Sequence, residues 1–238
     1  MNQTNLKPWA LITGSSSGMG VDYAHILANM SVNLVLSARR KERLEKLKIL
    51  IEKKYDVQVI VIVADLGEAT APQNIFNQCE SQNIKIDYLI NNAGLGMHGF
   101  FADQNWSDIN NMLMVDIMSL TELTKIFVDD MKKRNKGNIL LIASVAAYQP
   151  CPTYAVYGAA KAYVLNFGEA LNRELKDTNV SVSVLSPGAT KTAFFDVSGQ
   201  DTSSLQKYIM MDSNLVAKMG IKGVQAKKQV LFQVLSTS

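Results

Sequence analysis

Short runs dense in Val, Ile and Leu alternate with longer segments of helical spacing along nearly the whole chain, an order that leaves few architectures open. The apolar runs fall at Trp9–Thr13, Asn33–Ser37, Gln58–Val63, Tyr88–Asn91, Asn138–Ala143 and Val180–Leu185, with a seventh candidate at Gln229–Val234. Helical patterns occupy about 18–30, 41–54, 71–82, 107–134 and 153–176. Near-continuous apolar strands belong to parallel sheets covered on both faces. Their alternation with helices predicts an α/β fold. The expected form is a Rossmann-like, doubly wound parallel sheet of about seven strands, with helices on both faces and right-handed crossovers. No repeat or Pro/Gly/Ser-rich linker divides the chain, so residues 1–238 are expected to form a single domain.

Composition narrows the function classes. Of 238 residues, 47% are hydrophobic and 19% charged, a balance that excludes a disordered chain. The net charge of +3 is too small to argue for nucleic acid, and neither basic run is interleaved with aromatics. Lys132-Lys133-Arg134 reads as the solvated last turn of a helix, where cations favour the dipole. Cys79 and Cys151 match no metal-ligand spacing and read as packing residues of a reduced protein. Met1 to Trp9 lacks the layout of a signal peptide, and no run approaches the roughly 18 apolar residues of a membrane span. A cytoplasmic enzyme without membrane, nucleic-acid or metal partners is therefore expected.

The first strand ends in Thr13-Gly14-Ser15-Ser16-Ser17-Gly18-Met19-Gly20, and a helical pattern starts there. A strand that runs through a glycine-rich turn into a helix can hold a pyrophosphate against the helix N-terminus. The spacing is G-x-x-x-G-x-G, and no Gly-Lys-Ser/Thr follows, which excludes a nucleoside-triphosphate P-loop. Past the second strand, Ser37-Ala38-Arg39-Arg40 presents two guanidiniums where an acidic residue would grip an unmodified ribose. Arginine forks suit phosphate, so the 2′-phosphate of NADP(H) is expected rather than NAD(H). Asp65-Leu66 and Asn92-Ala93-Gly94 follow the third and fourth strands, at the ligand edge of such a sheet. There Asp65 could meet an adenine amino group.

Tyr157 and Lys161 are spaced i and i+4 and share one helix face. An ammonium beside a phenol stabilises phenolate and lowers the tyrosine pKa, giving a general acid for a carbonyl or a base for an alcohol. Ser144, thirteen residues before Tyr157 and just past the fifth strand, could bond the same substrate oxygen. Tyr154 is a weaker candidate, about 10 Å along the axis from Lys161.

In this order and on these elements, TGSSSGMG, NNAG, Ser144, Tyr157-x-x-x-Lys161 and Pro187-Gly188 resemble the short-chain dehydrogenase/reductase family over about residues 7–195. The resemblance implies an NAD(P)-dependent oxidoreductase of CH–OH and C=O groups. It implies that Gly14, Gly18 and Gly20, with Ser16, Ser17 and Met19, hold the pyrophosphate. Arg39 and Arg40 then lie by the ribose phosphate, Asp65 and Leu66 by adenine, and Asn92 to Gly94 along the adenosine side. Pro187, Gly188, Thr190 and Thr192 lie along the nicotinamide. Ser144 orients the carbonyl, Tyr157 exchanges the proton, and Lys161 binds the nicotinamide ribose. Two departures stand out. Asp116, 28 residues before Ser144, replaces the asparagine usual in the family; a carboxylate can still accept hydrogen bonds and is expected to pair with Lys161, but it cannot donate as an amide does. The family also commonly runs further past its last strand than Ser238, so closure over the substrate, or a subunit contact, is expected to be reduced.

An NADPH-dependent carbonyl reductase is thus expected, with the reverse alcohol oxidation as the nearer rival. A cofactor-binding sensor or scaffold of the same fold with little turnover is the rival from another class, against which the intact Ser144, Tyr157 and Lys161 argue. Substrate choice is expected to lie in loops near 95–101, 146–153 and 193–212, with Phe100, Phe101, Tyr148, Phe194 and Phe195 as an apolar wall. Apolar residues in excess of one core face, including Met112, Met114, Met118, Phe127, Val164 and Phe167, predict a homodimer or homotetramer.

Overall fold

The computed structural model of the protein describes residues 7–190, 210–227 and 230–232, the last three by backbone alone. The β-strands are β1 Trp9–Thr13, β2 Asn33–Ala38, β3 Val59–Val63, β4 Ile86–Asn91, β5 Gly137–Ile142, β6 Val180–Ser186 and β7 Val230–Phe232. They form one seven-stranded sheet in the order β3-β2-β1-β4-β5-β6-β7, and every pairing is parallel. Period-two alternation sends Leu11, Val35 and Ile62 to one face, and Ala10, Ile12, Leu34 and Leu36 to the other. Both faces are therefore apolar and both need cover.

Helices α1 Met19–Asn29 and α2 Lys41–Lys54 cover one face together with α7 Ser213–Gln225. On the other lie α3 Ala71–Ser81, α5 Leu120–Arg134 and α6 Ala155–Glu174. Strand order reverses between β1 and β4, so the carboxyl ends of these strands open a crevice at the switch point.

Two elements differ from the sequence expectation. The helix expected over 107–134 is divided into α4 Trp106–Leu113, a π turn Met114–Ser119, and α5. The wider turn holds Asp116 fully buried, and inserted π turns recur at functional sites. Helix α7 was not expected at all, because Gly220 and Gly223 weaken its helical pattern. Gly220 packs tightly: a Cβ there would lie 3.0 Å from both Tyr23 Oη and Leu140 Cδ2. Asp212 caps the helix by accepting from the Leu215 N–H at 3.0 Å.

The basic last turn of α5 is also more structural than expected. Lys132 and Lys133 are exposed, but Arg134 is partly buried, donates to Asp130 at 2.8 Å, and pairs with Asp87 at 3.2 Å. Among the described residues, no helix is long and apolar enough to cross a membrane. No group of three potential metal-ligating side chains occurs among them either.

Candidate active site

At the end of β1 the chain turns through Gly14 at φ 66° and reaches α1 through Gly18 at φ 56°, left-handed conformations that favour glycine. A Cβ on Gly14 would lie 2.8 Å from Ala93 Cα, so the glycine turn and the segment after β4 touch backbone to backbone. Thr13 joins them: its hydroxyl oxygen accepts from the N–H groups of Asn92 and Ala93, both at 3.0 Å. Asn92 Nδ2 returns a bond to Thr13 O at 2.9 Å. Thr13 belongs to the organisation of the site and was passed over in the sequence, since its partners lie nearly eighty residues away.

Arg40 reaches across the glycine turn. Its guanidinium donates to Ser16 Oγ at 2.8 Å and to Ser17 Oγ at 2.9 Å. Burial, with the like charges of Arg43 and Arg39, holds this guanidinium below its ordinary pKa, so a nearby anion is electrostatically favoured. Arg39 behaves differently, lying 3.8 Å from Asp65 Oδ2 in an exposed pair. Asp65 also accepts from the Gly67 N–H at 3.0 Å. The two arginines are therefore unequal, and Arg40 is the one built into the turn.

The opposite end holds a compact polar cluster. Ser144 follows β5, and its hydroxyl accepts from the Ala146 N–H at 3.2 Å while also bonding the Tyr157 phenol. Lys161, one turn beyond Tyr157 on α6, is 4% exposed and donates to Ile142 O at 3.2 Å. Its ammonium lies 5.6 Å from the Tyr157 ring centre and 2.9 Å from Asp116 Oδ2. The other Asp116 oxygen accepts from the Leu95 N–H at 2.7 Å. Gly94 makes room for this pair, because a Cβ there would lie 3.2 Å from Lys161 Nζ.

Electrostatics here correct one expectation. Tyr157 opens onto the cleft, yet the protein packed around it raises the phenol pKa by desolvation more than Lys161 and Ser144 lower it. Burial likewise raises the Asp116 carboxyl, against the opposing pull of Lys161 and the Leu95 N–H. For Lys161, burial disfavours the ammonium, but Asp116 and Tyr157 outweigh it and the pKa rises. The Lys161 ammonium lies against both the Asp116 carboxyl and the phenol ring, so it is shared rather than spent wholly on the phenol.

A cleft of about 540 Å³ connects the two ends. Its lining brings together Gly14, Ser16, Ser17, Gly18 and Met19 with Arg39, Arg40, Asp65 and Leu66. Further along come Asn92, Ala93 and Gly94, then Ser144, Tyr157 and Lys161 with Pro187, Gly188 and Thr190. Gly20 lies behind the turn, where a Cβ would meet Gly14 O at 2.5 Å, so its part is packing. Asp116 lies behind Lys161, off the cleft surface. The segment after β6 is anchored by Val145 N donating to Pro187 O at 3.0 Å and Met211 N to Ala189 O at 2.8 Å. Thr192, Phe194 and Phe195 lie outside the described residues.

The expected apolar wall is different in kind. Phe100 and Phe101 are strongly exposed and do not line the cleft. Tyr148 is turned to Ser186, with its hydroxyl 3.2 Å from Ser186 Oγ. Leu95, Val145, Ala146, Cys151 and Tyr154 line it instead. Cys151 is therefore not a mere packing residue, whereas Cys79 is. Tyr154 stands beside Tyr157 with ring centres 5.9 Å apart and against His98 at 5.0 Å. Loop residues such as these carry no periodic signal in a sequence.

The cradle fits a nicotinamide dinucleotide. Two left-handed glycines open backbone next to serine hydroxyls and an arginine at one end, and the Ser144, Tyr157 and Lys161 cluster closes the other.

Comparison with known proteins agrees. Residues 8–203 match the family profile described as short chain dehydrogenase. A very-long-chain 3-oxoacyl-CoA reductase from Anas platyrhynchos is 31% identical over 230 residues, covering 93% of this chain and 71% of its own. A 17-beta-hydroxysteroid dehydrogenase type 3 from Mus musculus is 33% identical over 187 residues, or 77% of this chain. The chain spans only 60% of the length of that mouse protein. Among solved structures, a short-chain dehydrogenase from Sphingobium yanoikuyae in complex with NADPH superposes with a TM-score of 0.88 at 30% identity, covering 94% of this chain and 86% of its own. The bulky-bulky ketone specific alcohol dehydrogenase from Comamonas testosteroni gives 0.85 at 32% identity, covering 99% and 89%. With its profile matched over most of the length and its cleft assembled from the expected strand ends, the chain belongs to the short-chain dehydrogenase family.

Proposed function

We propose that the protein is an NADPH-dependent reductase of a bulky, apolar ketone or aldehyde, able to run in reverse as an alcohol dehydrogenase. The observation that carries this reading is the Tyr157 phenol, bonded to Ser144 and facing Lys161, at one end of a cleft whose other end is Arg40 laid across Ser16 and Ser17. Gly14, Gly18 and Met19 with the two serines would hold the pyrophosphate, and Arg40 the 2′-phosphate. Asp65 and Leu66 would border adenine, Asn92 to Gly94 the adenosine side, and Pro187 to Thr190 the nicotinamide. The reduced nicotinamide supplies the hydride when bound. Ser144 then orients the carbonyl oxygen, and Tyr157 Oη donates its proton to that oxygen. Lys161 offsets the charge left on the phenol.

Apolar side chains of Leu95, Val145, Ala146 and Tyr154 favour a bulky ketone, in keeping with the substrates named for the acyl-CoA, steroid and bulky-ketone relatives. We also read the single sheet as one domain and the assembly as a dimer or tetramer. A sensor with little turnover would leave Ser144, Tyr157 and Lys161 without purpose. The test is NADPH oxidation against a panel of bulky ketones, with cofactor affinity followed by nicotinamide fluorescence. Arg40→Ala should weaken NADPH at least tenfold and NADH little, and Arg39→Ala should do less, because Asp65 already occupies that side chain. No turnover with any ketone would favour the sensor. Equal affinity of the parent protein for both cofactors would remove the NADPH preference.

A further inference from the structure

The buried carboxylate behind Lys161 changes the charge count of the proton-exchanging cluster. Tyr157 is faced by Lys161 on its own helix, Ser144 after β5, and Cys151 and Tyr154 at the cleft wall. His98 packs behind Tyr154, and Asp116 approaches from the π turn. Lys161 in turn is faced by Asp116, by Tyr157 and by the Ile142 carbonyl. Asp116 is faced by Lys161 and the Leu95 N–H. The fixed charges within this group are one ammonium and one carboxylate, 2.9 Å apart, with Asp116 fully buried and Lys161 nearly so.

We propose that Asp116 is a positioning residue that neutralises Lys161, holds Tyr157 protonated as a proton donor, and confines the alcohol-oxidising direction to alkaline pH. The inference rests on Tyr157 being the acid of the proposed reaction. With phenol, ammonium and carboxylate together the cluster is neutral, so loss of the phenol proton leaves a buried net negative charge. Were the carboxylate an amide, the same loss would take the cluster from +1 to neutral, which low-dielectric surroundings favour. The phenol and the ammonium titrate as a unit, and the count applies to the cluster's first ionisation, which the phenol resonance follows. Desolvation and Asp116 both raise the phenol pKa, in the same direction as the charge count.

Geometry adds a second consequence. Asp116 bonds the backbone of Leu95, next to Gly94 in the cleft wall, so it also ties Lys161 to the segment that would lie along the cofactor. Asp116→Asn keeps an oxygen to accept from Leu95 while deleting the charge.

The experiment follows the tyrosine ring carbon bearing the hydroxyl by NMR in full-length protein, with and without NADP⁺. Tyr157 is assigned by its loss in Tyr157→Phe. In the parent protein, Tyr157 should stay protonated through neutral pH and ionise only above the ordinary phenol range. In Asp116→Asn the first ionisation of the cluster should move about 1 to 3 units toward acid, the usual effect of one charge at this range. The rising limb of alcohol oxidation should move with it. A Tyr157 resonance that titrates at or below the ordinary phenol range in the parent protein overturns the inference, even if Asp116→Asn fails to fold. So does an unshifted resonance in a folded Asp116→Asn protein. Full activity of Tyr157→Phe would instead sink the proposed role of Tyr157, and the two failures are read separately.

Discussion

Tyr157 is asked to part with a proton in surroundings that resist its ionisation, so its hydroxyl is the natural place to test the chemistry. Tyr157→Phe removes the donor and keeps the ring packed against Tyr154. Turnover on a verified ketone should fall by about 100- to 10,000-fold, the worth of general acid catalysis. Melting temperature and NADPH affinity should stay close to the parent values. Lys161→Ala should behave differently, because it leaves the Asp116 carboxylate buried without its cation. An uncompensated buried charge costs about 3–5 kcal/mol, so this variant should melt well below the parent at neutral pH. The sign of the pH effect follows from burial, which raises the Asp116 pKa above its unfolded value. Without Lys161 the folded form therefore binds a proton more readily, and the penalty should shrink as pH falls toward the ordinary carboxylate range. Calorimetry across acid to neutral pH checks this. A Lys161→Ala melting temperature equal to the parent at neutral pH would mean that the ion pair contributes nothing to the fold.

Among the elements, α6 bears Tyr157 and Lys161 and is pressed onto the sheet at Gly168. A Cβ there would lie 2.3 Å from Val184 Cγ2 and 3.0 Å from Leu141 Cδ1, both on core strands. Gly168→Ala gains at most about 1 kcal/mol of helix propensity and should lose about 1–3 kcal/mol to overpacking. A net fall in stability by urea unfolding is expected, and a stabilised variant would show that the helix can lift without cost. This contact also shows where a sequence stops being readable. Strands β1 to β6 announce themselves because a sheet covered on both faces favours short runs dense in Val, Ile and Leu. Tyr157 and Lys161 announce themselves because i and i+4 must share a helix face. The Asp116–Lys161 pair was reachable only through the family resemblance, and the Thr13–Asn92 bonds and Arg40 on Ser16 are products of topology, joining residues that no local pattern connects. The π turn was hidden for the same reason: Met114-Val115-Asp116-Ile117-Met118 reads as ordinary helix until Lys161 and Leu95 are known to face Asp116. Helix α7 was hidden by its glycines, of which Gly220 lies close to Tyr23 and Leu140.

For the molecule as a whole, the methionines and aromatics divide between core and surface more sharply than their spacing implied. Met112, Phe127 and Val164 are core residues, fully covered by the protein's own packing, and are not available to a partner. Met118 and Tyr163 remain, at 57% and 38% exposure, on the adjoining outer faces of the π turn and α6. Tyr163 stacks on Phe167 with ring centres 5.8 Å apart and 15° between planes, and its hydroxyl meets Thr121 at 2.9 Å. The ring is thus held in place before any partner arrives, which lowers the entropy lost on association. Two-fold assembly brings such a patch onto its own copy, so one apolar surface serves both sides. We therefore expect a dimer joined through this face. Light scattering at micromolar concentration should give twice the chain mass, with no dependence on cofactor. Met118→Glu leaves the core untouched and sets like charges near the two-fold axis, where they repel and lose their water. It should shift the mass toward the monomer while far-ultraviolet circular dichroism stays unchanged. If the parent protein scatters as a monomer, or if Met118→Glu leaves an oligomer of the same mass, this face is not the contact.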